Sequence, residues 1–240
     1  MGSRGSDRTF TSKGSAAVTK IVIMGGGPAG YEAALVAAQY GGDVTLVERD
    51  APGGACVLAD CVPSKTFIAS AGARTAVREA GDLGIAVPPD SVTVDLAAVN
   101  ARVAALAAAQ SEDIESRLVT EGVDVIRGTA ELADAQPGLA RHRVRISTAD
   151  GVRTELDADV VLIATGASPR VLPDAVPDGE RILTWRQVYA LTELPEHLIV
   201  VGSGVTGAEF ASAYTEIGVP VTLVSSRDRV LPGEDADAAA

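Results

Sequence analysis

Residues 20–48 read KIVIMGGGPAGYEAALVAAQYGGDVTLVE, and residues 197–225 read HLIVVGSGVTGAEFASAYTEIGVPVTLVS. Each is an apolar run, a glycine cluster, a run at helical spacing and a second apolar run, the order strand, tight turn, helix, strand. A shift of 177 residues lays one on the other, so that Gly25, Gly27 and Gly30 fall on Gly202, Gly204 and Gly207. A repeat of this length places G-x-G-x-x-G twice in the strand-to-helix context where the pattern has a physical use. The first glycine permits the sharp turn, the second lets main chain approach a pyrophosphate, and the third lets helix and strand pack closely. The helix N-terminus then faces the phosphates. In the first copy the turn continues as Pro28-Ala29-Gly30.

The copies differ where specificity is set. Glu48 ends the second strand of the first unit, and a carboxylate there accepts from both hydroxyls of an unphosphorylated ribose. Its counterpart is Ser225, followed by Ser226 and Arg227 with Arg229 nearby. A carboxylate would repel a 2′-phosphate, so its absence admits a phosphorylated ribose, and Arg227 is placed to pair with one. The second unit therefore leans to NADPH over NADH. The competing reading is that Arg227 and Arg229 are solvated surface charges.

Outward from these units the chain alternates strands and helices. Helices are expected over roughly Lys65–Glu79 and Leu96–Thr120, with a strand over Val123–Gly128. Arg141–Ser147 and Val152–Ala158 alternate around Ala149-Asp150-Gly151 and predict a hairpin. Val160–Ala164 and Leu198–Val201 are short apolar runs that predict buried strands, far below the ~20 residues of a bilayer span. After Gly166 four prolines, Pro169, Pro173, Pro177 and Pro195, mark a connector with one short helix near Trp185–Thr192. The fold class is α/β. The expected organisation is a disordered tail over 1–17, a first Rossmann-like domain over 18–170 and a connector over 171–196. The opening βαβ of a second such domain follows over 197–240. The tail is rich in Gly, Ser and Thr and lacks the apolar stretch of a signal peptide, which points to the cytoplasm.

The 240 residues are 47% apolar and 22% charged, an ordinary globular composition. Thirty-two acids against twenty bases give a net charge of −12, which argues against a sequence-independent grip on nucleic acid or anionic lipid. Two cysteines are too few for a disulfide framework or a four-thiolate zinc site, so no metal centre is expected.

Those two cysteines stand in PGGACVLADCVPSK, residues 52–65, as Cys56 and Cys61. Positions five apart on a regular helix point ~140° away from each other, so the backbone must leave the helix if the two bond. A disulfide closing so small a loop stabilises little and reduces readily. A redox pair is one reading, and two incidental buried thiols the other.

With these motifs the chain resembles the FAD-dependent pyridine nucleotide-disulfide oxidoreductases, the family of dihydrolipoamide dehydrogenase, glutathione reductase and mercuric reductase. The resemblance runs from about Val18 to the C-terminus and rests on GGGPAG with Glu48, GGACVLADCVPSK, Ala164-Thr165-Gly166 and GSGVTGAE. It implies FAD on the first repeat (Gly25, Gly27, Pro28, Ala29, Gly30, Glu48, Gly54) and a nicotinamide nucleotide on the second (Gly202, Gly204, Gly207, Ser225, Arg227). Cys56 would be the interchange thiol that attacks substrate and Cys61 the thiol beside the flavin. Lys65 would lie near the reactive edge of the isoalloxazine, ion-paired with Glu209. Arg127-Gly128-Thr129-Ala130 resembles the segment whose backbone meets adenine, and Thr165-Gly166 the turn that passes the cofactor.

Within the family the stretches VLADCVPSKTFIAS and ILTWRQVYALTELPEHLIVVGSGVTGAEF look most like the actinobacterial NAD(P)H-quinone dehydrogenase branch. Val205 stands where many disulfide reductases carry a tyrosine over the flavin, whereas Cys56 is a residue some members of that branch lack. The oxidising substrate, a quinone or a dithiol/disulfide, is left open by these two departures. The resemblance also implies a homodimer nearly twice this length. The expectation is thus an enzyme's N-terminal half, or a non-catalytic FAD-binding fragment. The later His-Glu acid-base pair of the family has no counterpart here, since neither His142 nor His197 is placed to supply it.

Overall fold

A computed structural model describes residues 18–88, 91–133, 141–237 and 239. The expected tail over 1–17 lies outside the described residues. In chain order the elements are β1 (Lys20–Met24), α1 (Pro28–Gln39), β2 (Asp43–Glu48), α2 (Gly54–Leu58), α3 (Cys61–Arg78), α4 (Leu96–Thr120), β3 (Asp124–Arg127), β4 (Thr129–Leu132), β5 (His142–Ser147), β6 (Arg153–Ala158), β7 (Val160–Ile163), β8 (Leu198–Val201), α5 (Val205–Glu216) and β9 (Val221–Val224).

The first unit is layered. Strands β3-β2-β1-β7 form a parallel sheet in that order, and β4-β5-β6 form an antiparallel sheet. Side chains alternate across β1 and β2, as strand geometry requires. Ile23, Val44 and Leu46 face α1 and α4, where Ala34, Leu35, Ile114 and Leu118 cover them. Val22, Met24 and Val47 face the antiparallel layer and meet Val144, Ile146 and Ala158. The long helix α4 starts where the Asp95 side chain accepts from the Ala98 N–H, 3.0 Å. Its buried stripe of Leu96, Val103, Ala107, Ile114 and Leu118 is the apolar face that the sequence periodicity selects.

The second unit is β8-α5-β9, with β8 and β9 parallel. Helix α5 does not lie on its own strands alone. Phe210, Ala213, Tyr214 and Ile217 join Phe67 and Ala71 of α3 and Leu96 and Val103 of α4 in one buried cluster. The connector packs against it through Leu183, Trp185, Val188, Tyr189 and Leu191.

Three expectations are corrected, and one strand that the sequence did not mark is added. Helix α3 begins at Cys61, four residues before the expected start, and is preceded by the short α2. The tetrapeptide Thr129–Leu132 is a strand, because its main chain pairs with β5 even though its side chains lack apolar alternation. The helix expected over Trp185–Thr192 is only a 3-10 turn, Gln187–Ala190. Finally, β7 and β8 are not buried on both faces. Ile163 is 63% exposed and Val201 67% exposed. Among the described strands β7 is an edge, and β8 pairs only with β9 under a helix on one face, so alternate apolar side chains meet solvent.

Candidate functional site

The C-terminal ends of β1, β2, β7 and of β8, β9 carry the two glycine turns. Gly25 has φ +106, its N–H donates to Val47 O at 2.8 Å, and a Cβ on it would lie 2.3 Å from Ala164 O. Only glycine fits. Gly202 repeats the conformation at φ +113 and donates to Val224 O at 2.9 Å. The third glycine of each turn is fixed by contact, since a Cβ on Gly30 or on Gly207 would stand 1.8 Å from the carbonyl oxygen of Gly25 or Gly202.

The middle glycines have no such reason. Gly27 and Gly204 are the N-caps of α1 and α5, with φ −70 and −74, open to any residue. A Cβ on Gly27 would find only Gly54 Cα at 3.8 Å, and one on Gly204 would meet nothing within 4 Å. Each helix starts without a side-chain cap and without an acidic residue in its first turn. These are the features that close approach by an external anion demands.

Past the first turn, Glu48 Oε2 accepts from Gly26 N at 2.6 Å and Oε1 accepts from Asp50 N at 2.8 Å. Each carboxylate oxygen keeps a further lone pair for a ligand hydroxyl. A Cβ on Gly26 would lie 3.0 Å from Glu48 Cβ. Gly26 is thus a site residue that the sequence pattern, which treats it as the variable position of G-x-G, does not mark. In the second turn the same positions hold a hydroxyl pair, Ser203 Oγ and Ser225 Oγ at 2.6 Å, with Arg227 N donating to Ser225 Oγ at 3.0 Å. The Arg229 guanidinium turns back to Pro232 O and Glu234 O, 3.4 and 3.0 Å. Arg227 forms no ion pair among the described residues, so its charge is the one available beside Ser225.

The cysteines sit against the first turn. Gly53 N donates to Gly26 O at 2.7 Å, and a Cβ on Gly54 would reach Gly27 Cα at 2.7 Å, so α2 is laid on the glycine loop. The Ser111 hydroxyl donates to Pro52 O at 2.5 Å and ties this loop to α4. Cys56 lies on α2 and Cys61 opens α3, and between them Ala59 and Asp60 leave helical geometry at φ −149 and −127. Both are free thiols, with Cys56 partly buried and Cys61 exposed. Burial pushes the Cys56 thiol up, Cys61 and Asp60 add to this, and the Lys65 ammonium opposes it.

Lys65, one turn into α3, donates to Glu209 Oε1 on α5 at 2.5 Å. That hydrogen bond holds the lysine above its ordinary range. The link joins the cysteine helix to the helix of the second turn. Thr165 and Gly166, the latter at φ +68, leave β7 beside the first turn. Ala130 stands apart on β4, opposite Ile146. Next to Glu48, whose carbonyl accepts from Gly128 N at 2.9 Å, a recess is lined by Arg49, Arg127, Thr129, Ser147 and Thr148. The two histidines are elsewhere: His142 is on β5, and His197 precedes β8, with Nε2 2.9 Å from Thr222 Oγ1. Among the described residues no cluster of His, Cys, Asp and Glu could hold a metal ion, and no helix is long and apolar enough to cross a membrane.

The sequence profile of the family described as pyridine nucleotide-disulphide oxidoreductase matches residues 19–240. An NAD(P)H dehydrogenase (quinone) of Mycobacterium tuberculosis is 64% identical over 225 residues, which are 92% of this chain and 46% of that protein. A dihydrolipoyl dehydrogenase of Chlorobaculum parvum is 37% identical over 94% of this chain and 46% of its own length. The crystal structure of LpdA from Mycobacterium tuberculosis superposes with a TM-score of 0.86 at 63% identity, covering 92% of this chain and 48% of that one. A Cu(II) complex of the flavoprotein disulfide reductase RclA from Escherichia coli gives 0.72 at 27% identity, over 92% and 45%. The chain spans about half the length of the curated relatives it matches.

Proposed function

The chain belongs to the pyridine nucleotide-disulphide oxidoreductase family, and from that premise we propose that it is the nucleotide-binding half of a flavin-dependent NAD(P)H dehydrogenase. FAD belongs on the first turn, through Gly25, Gly27, Pro28, Ala29, Gly30, Gly54 and Glu48, with Ala130, Thr165 and Gly166 along its length. NADPH, ahead of NADH, belongs on the second, through Gly202, Gly204, Gly207, Ser225 and Arg227. The observation that carries the reading is the pair of middle glycines, Gly27 and Gly204, which nothing in the chain requires to be glycine. FAD, when bound, supplies a two-electron carrier between nucleotide and acceptor.

The protein's own groups bind, orient and neutralise. The two turns present uncapped helix N-termini to pyrophosphate, and Glu48 fixes the ribose. Lys65, kept cationic by Glu209, places a positive charge beside the cysteine pair and favours negative charge developing there.

Two acceptors fit the site. A quinone can take electrons without the thiols, and Val205 at the start of α5, half-exposed, leaves the approach past the second turn open. For a disulfide substrate, the Cys56 thiolate attacks one sulfur and expels the other as a thiol after protonation. Cys61 then attacks the Cys56 sulfur, closes the Cys56–Cys61 bond and releases the second thiol. Two electrons from the nucleotide and two protons restore the pair. We place the protein in the cytoplasm and the full-length enzyme in a homodimer.

The test is spectroscopic. Purified with FAD and made anaerobic, the protein should hold flavin and lose its visible absorbance on addition of NADPH, and a soluble quinone should restore it. A protein that retains no flavin, or whose flavin NADPH does not bleach, contradicts the assignment.

A further inference from the structure

Helix α3, which opens with Cys61, and helix α5, which opens at the second nucleotide turn, touch at three levels. At the first, Lys65 pairs with Glu209 at 2.5 Å. At the second, Phe67 stacks on Tyr214 with centroids 5.0 Å apart and planes 25° from parallel, inside an aromatic group completed by Tyr189 and Phe210. At the third, Arg74 Nη1 donates to Glu216 O, the last residue of α5. The partners ascend both helices together, so the helices run in the same direction. Nine residues separate Lys65 from Arg74, a baseline of roughly 13 Å at 1.5 Å per residue.

The Arg74 contact is shaped for its place. Gly218, just beyond α5, has φ +100, and a Cβ there would stand 2.9 Å from Arg74 Nη2. The glycine makes room for the guanidinium as well as for the turn. A cation at a helix C-terminus also meets the negative end of the helix dipole. Arg74 Nε is buried with no partner among the described residues, a cost tolerated to bring the fork to the helix end.

The Lys65–Glu209 pair alone cannot orient α5. Lys65 is 60% exposed, and ion pairs that open to water are weak and mobile. The buried cluster around Phe67 and Tyr214 holds α5 against α3, but apolar packing is non-directional, and the Arg74 hydrogen bond to Glu216 O adds a directional anchor at the far end of a baseline of roughly 13 Å. We propose that Arg74 is a positioning residue. By fixing the C-terminal end of α5 on the cysteine helix, it sets where the Gly202–Gly204 turn stands relative to Lys65 and the two thiols. This rests on the reading above, in which that turn holds the electron-donating nucleotide.

The experiment compares the parent with Arg74→Ala and Arg74→Lys, each loaded with FAD. Anaerobic rapid mixing with NADPH reads the flavin reduction rate at saturation and the nucleotide concentration at half-saturation. Hydrogen exchange without nucleotide reads the amides of α5. For Arg74→Ala we expect reduction slowed roughly ten- to a hundredfold, as for reacting groups displaced by about 1 Å. Half-saturation should change less than about threefold, because the turn itself is intact. Exchange should quicken along all of α5, including Val205–Glu209, about 13 Å from the change. Arg74→Lys, which keeps a donor for Glu216 O, should recover most of the rate. Reduction at the parental rate, a lysine variant as slow as the alanine one, or quickened exchange confined to residues 213–219 would overturn the proposal. If NADPH fails to bleach the parent, the functional reading falls, and the exchange pattern still decides whether Arg74 fixes α5.

Discussion

Ser225 Oγ lies 2.6 Å from Ser203 Oγ, in the same places where Glu48 Oε2 lies 2.6 Å from Gly26 N. The next contact repeats too, with Arg227 N on Ser225 Oγ as Asp50 N is on Glu48 Oε1. The chain therefore holds two turns of one geometry, one closed by a carboxylate and one by a hydroxyl pair.

From this follows a prediction on nucleotide choice. A carboxylate at position 225 must share space with the Ser203 side chain, whereas Glu48 faces a glycine with no Cβ to spare. Ser225→Glu alone should weaken both nucleotides. Ser203→Gly with Ser225→Glu should rebuild the first turn and reverse a preference for NADPH, by a like-charge penalty of about 1–3 kcal/mol, or roughly ten- to a hundredfold. The check is kcat/KM for NADPH and NADH with a quinone acceptor. A ratio that does not move in the double variant shows that position 225 does not read the ribose.

Glu48→Ala should weaken FAD retention by on the order of 1–3 kcal/mol, because two ribose hydroxyls lose their acceptor. Gly26 N and Asp50 N lose theirs as well. Flavin content after gel filtration against a dilution series measures this. Equal occupancy in variant and parent sinks the assignment of FAD to the first turn.

Cys61→Ser should abolish disulfide reduction and leave at least about half of quinone reduction, since the quinone route does not use the thiols. Loss of both activities in a variant that keeps its flavin means the quinone also depends on the cysteine pair.

The Lys65–Glu209 pair gives a pH dependence. The folded-state pKa of Lys65 is raised above its unfolded value, chiefly by the hydrogen bond to Glu209. Its contribution to stability is fully present below the unfolded value, about 10.4, and is lost as pH rises through the folded value. The gap in Tm between parent and Lys65→Met should be constant from pH 7 to about 10 and narrow above about 10.4. A gap that stays constant to higher pH contradicts the pairing as a source of stability.

Much of this was legible in residue order, and what was not has identifiable causes. The repeated strand-turn-helix units announce themselves because glycine spacing and apolar runs are local signals. The break between Cys56 and Cys61 was legible as a condition for bonding, and the structure realises it at Ala59 and Asp60. Strand Thr129–Leu132 was hidden, because pairing to β5 gives it a shape its side chains do not encode. The exposure of Ile163 and Val201 was hidden for the opposite reason, since apolar character cannot tell which neighbour covers a strand. Arg74 was invisible. Its partner lies 142 residues away and is a carbonyl, which every residue has.

The twin-turn assignment is tested most directly by exchanging the middle glycines one at a time. Gly27→Ala and Gly204→Ala both place a methyl group where the chain has room, at φ values that alanine adopts freely, so both variants should fold. The measurement is flavin content together with the rate of flavin bleaching by NADPH. Gly27→Ala should lose FAD, and Gly204→Ala should keep FAD while its reduction by NADPH falls at least about tenfold, the scale set by one close contact of roughly 1.4 kcal/mol. A Gly27→Ala protein that stays fully yellow, or a Gly204→Ala protein reduced as fast as the parent, contradicts the assignment of FAD to the first turn and the nicotinamide nucleotide to the second.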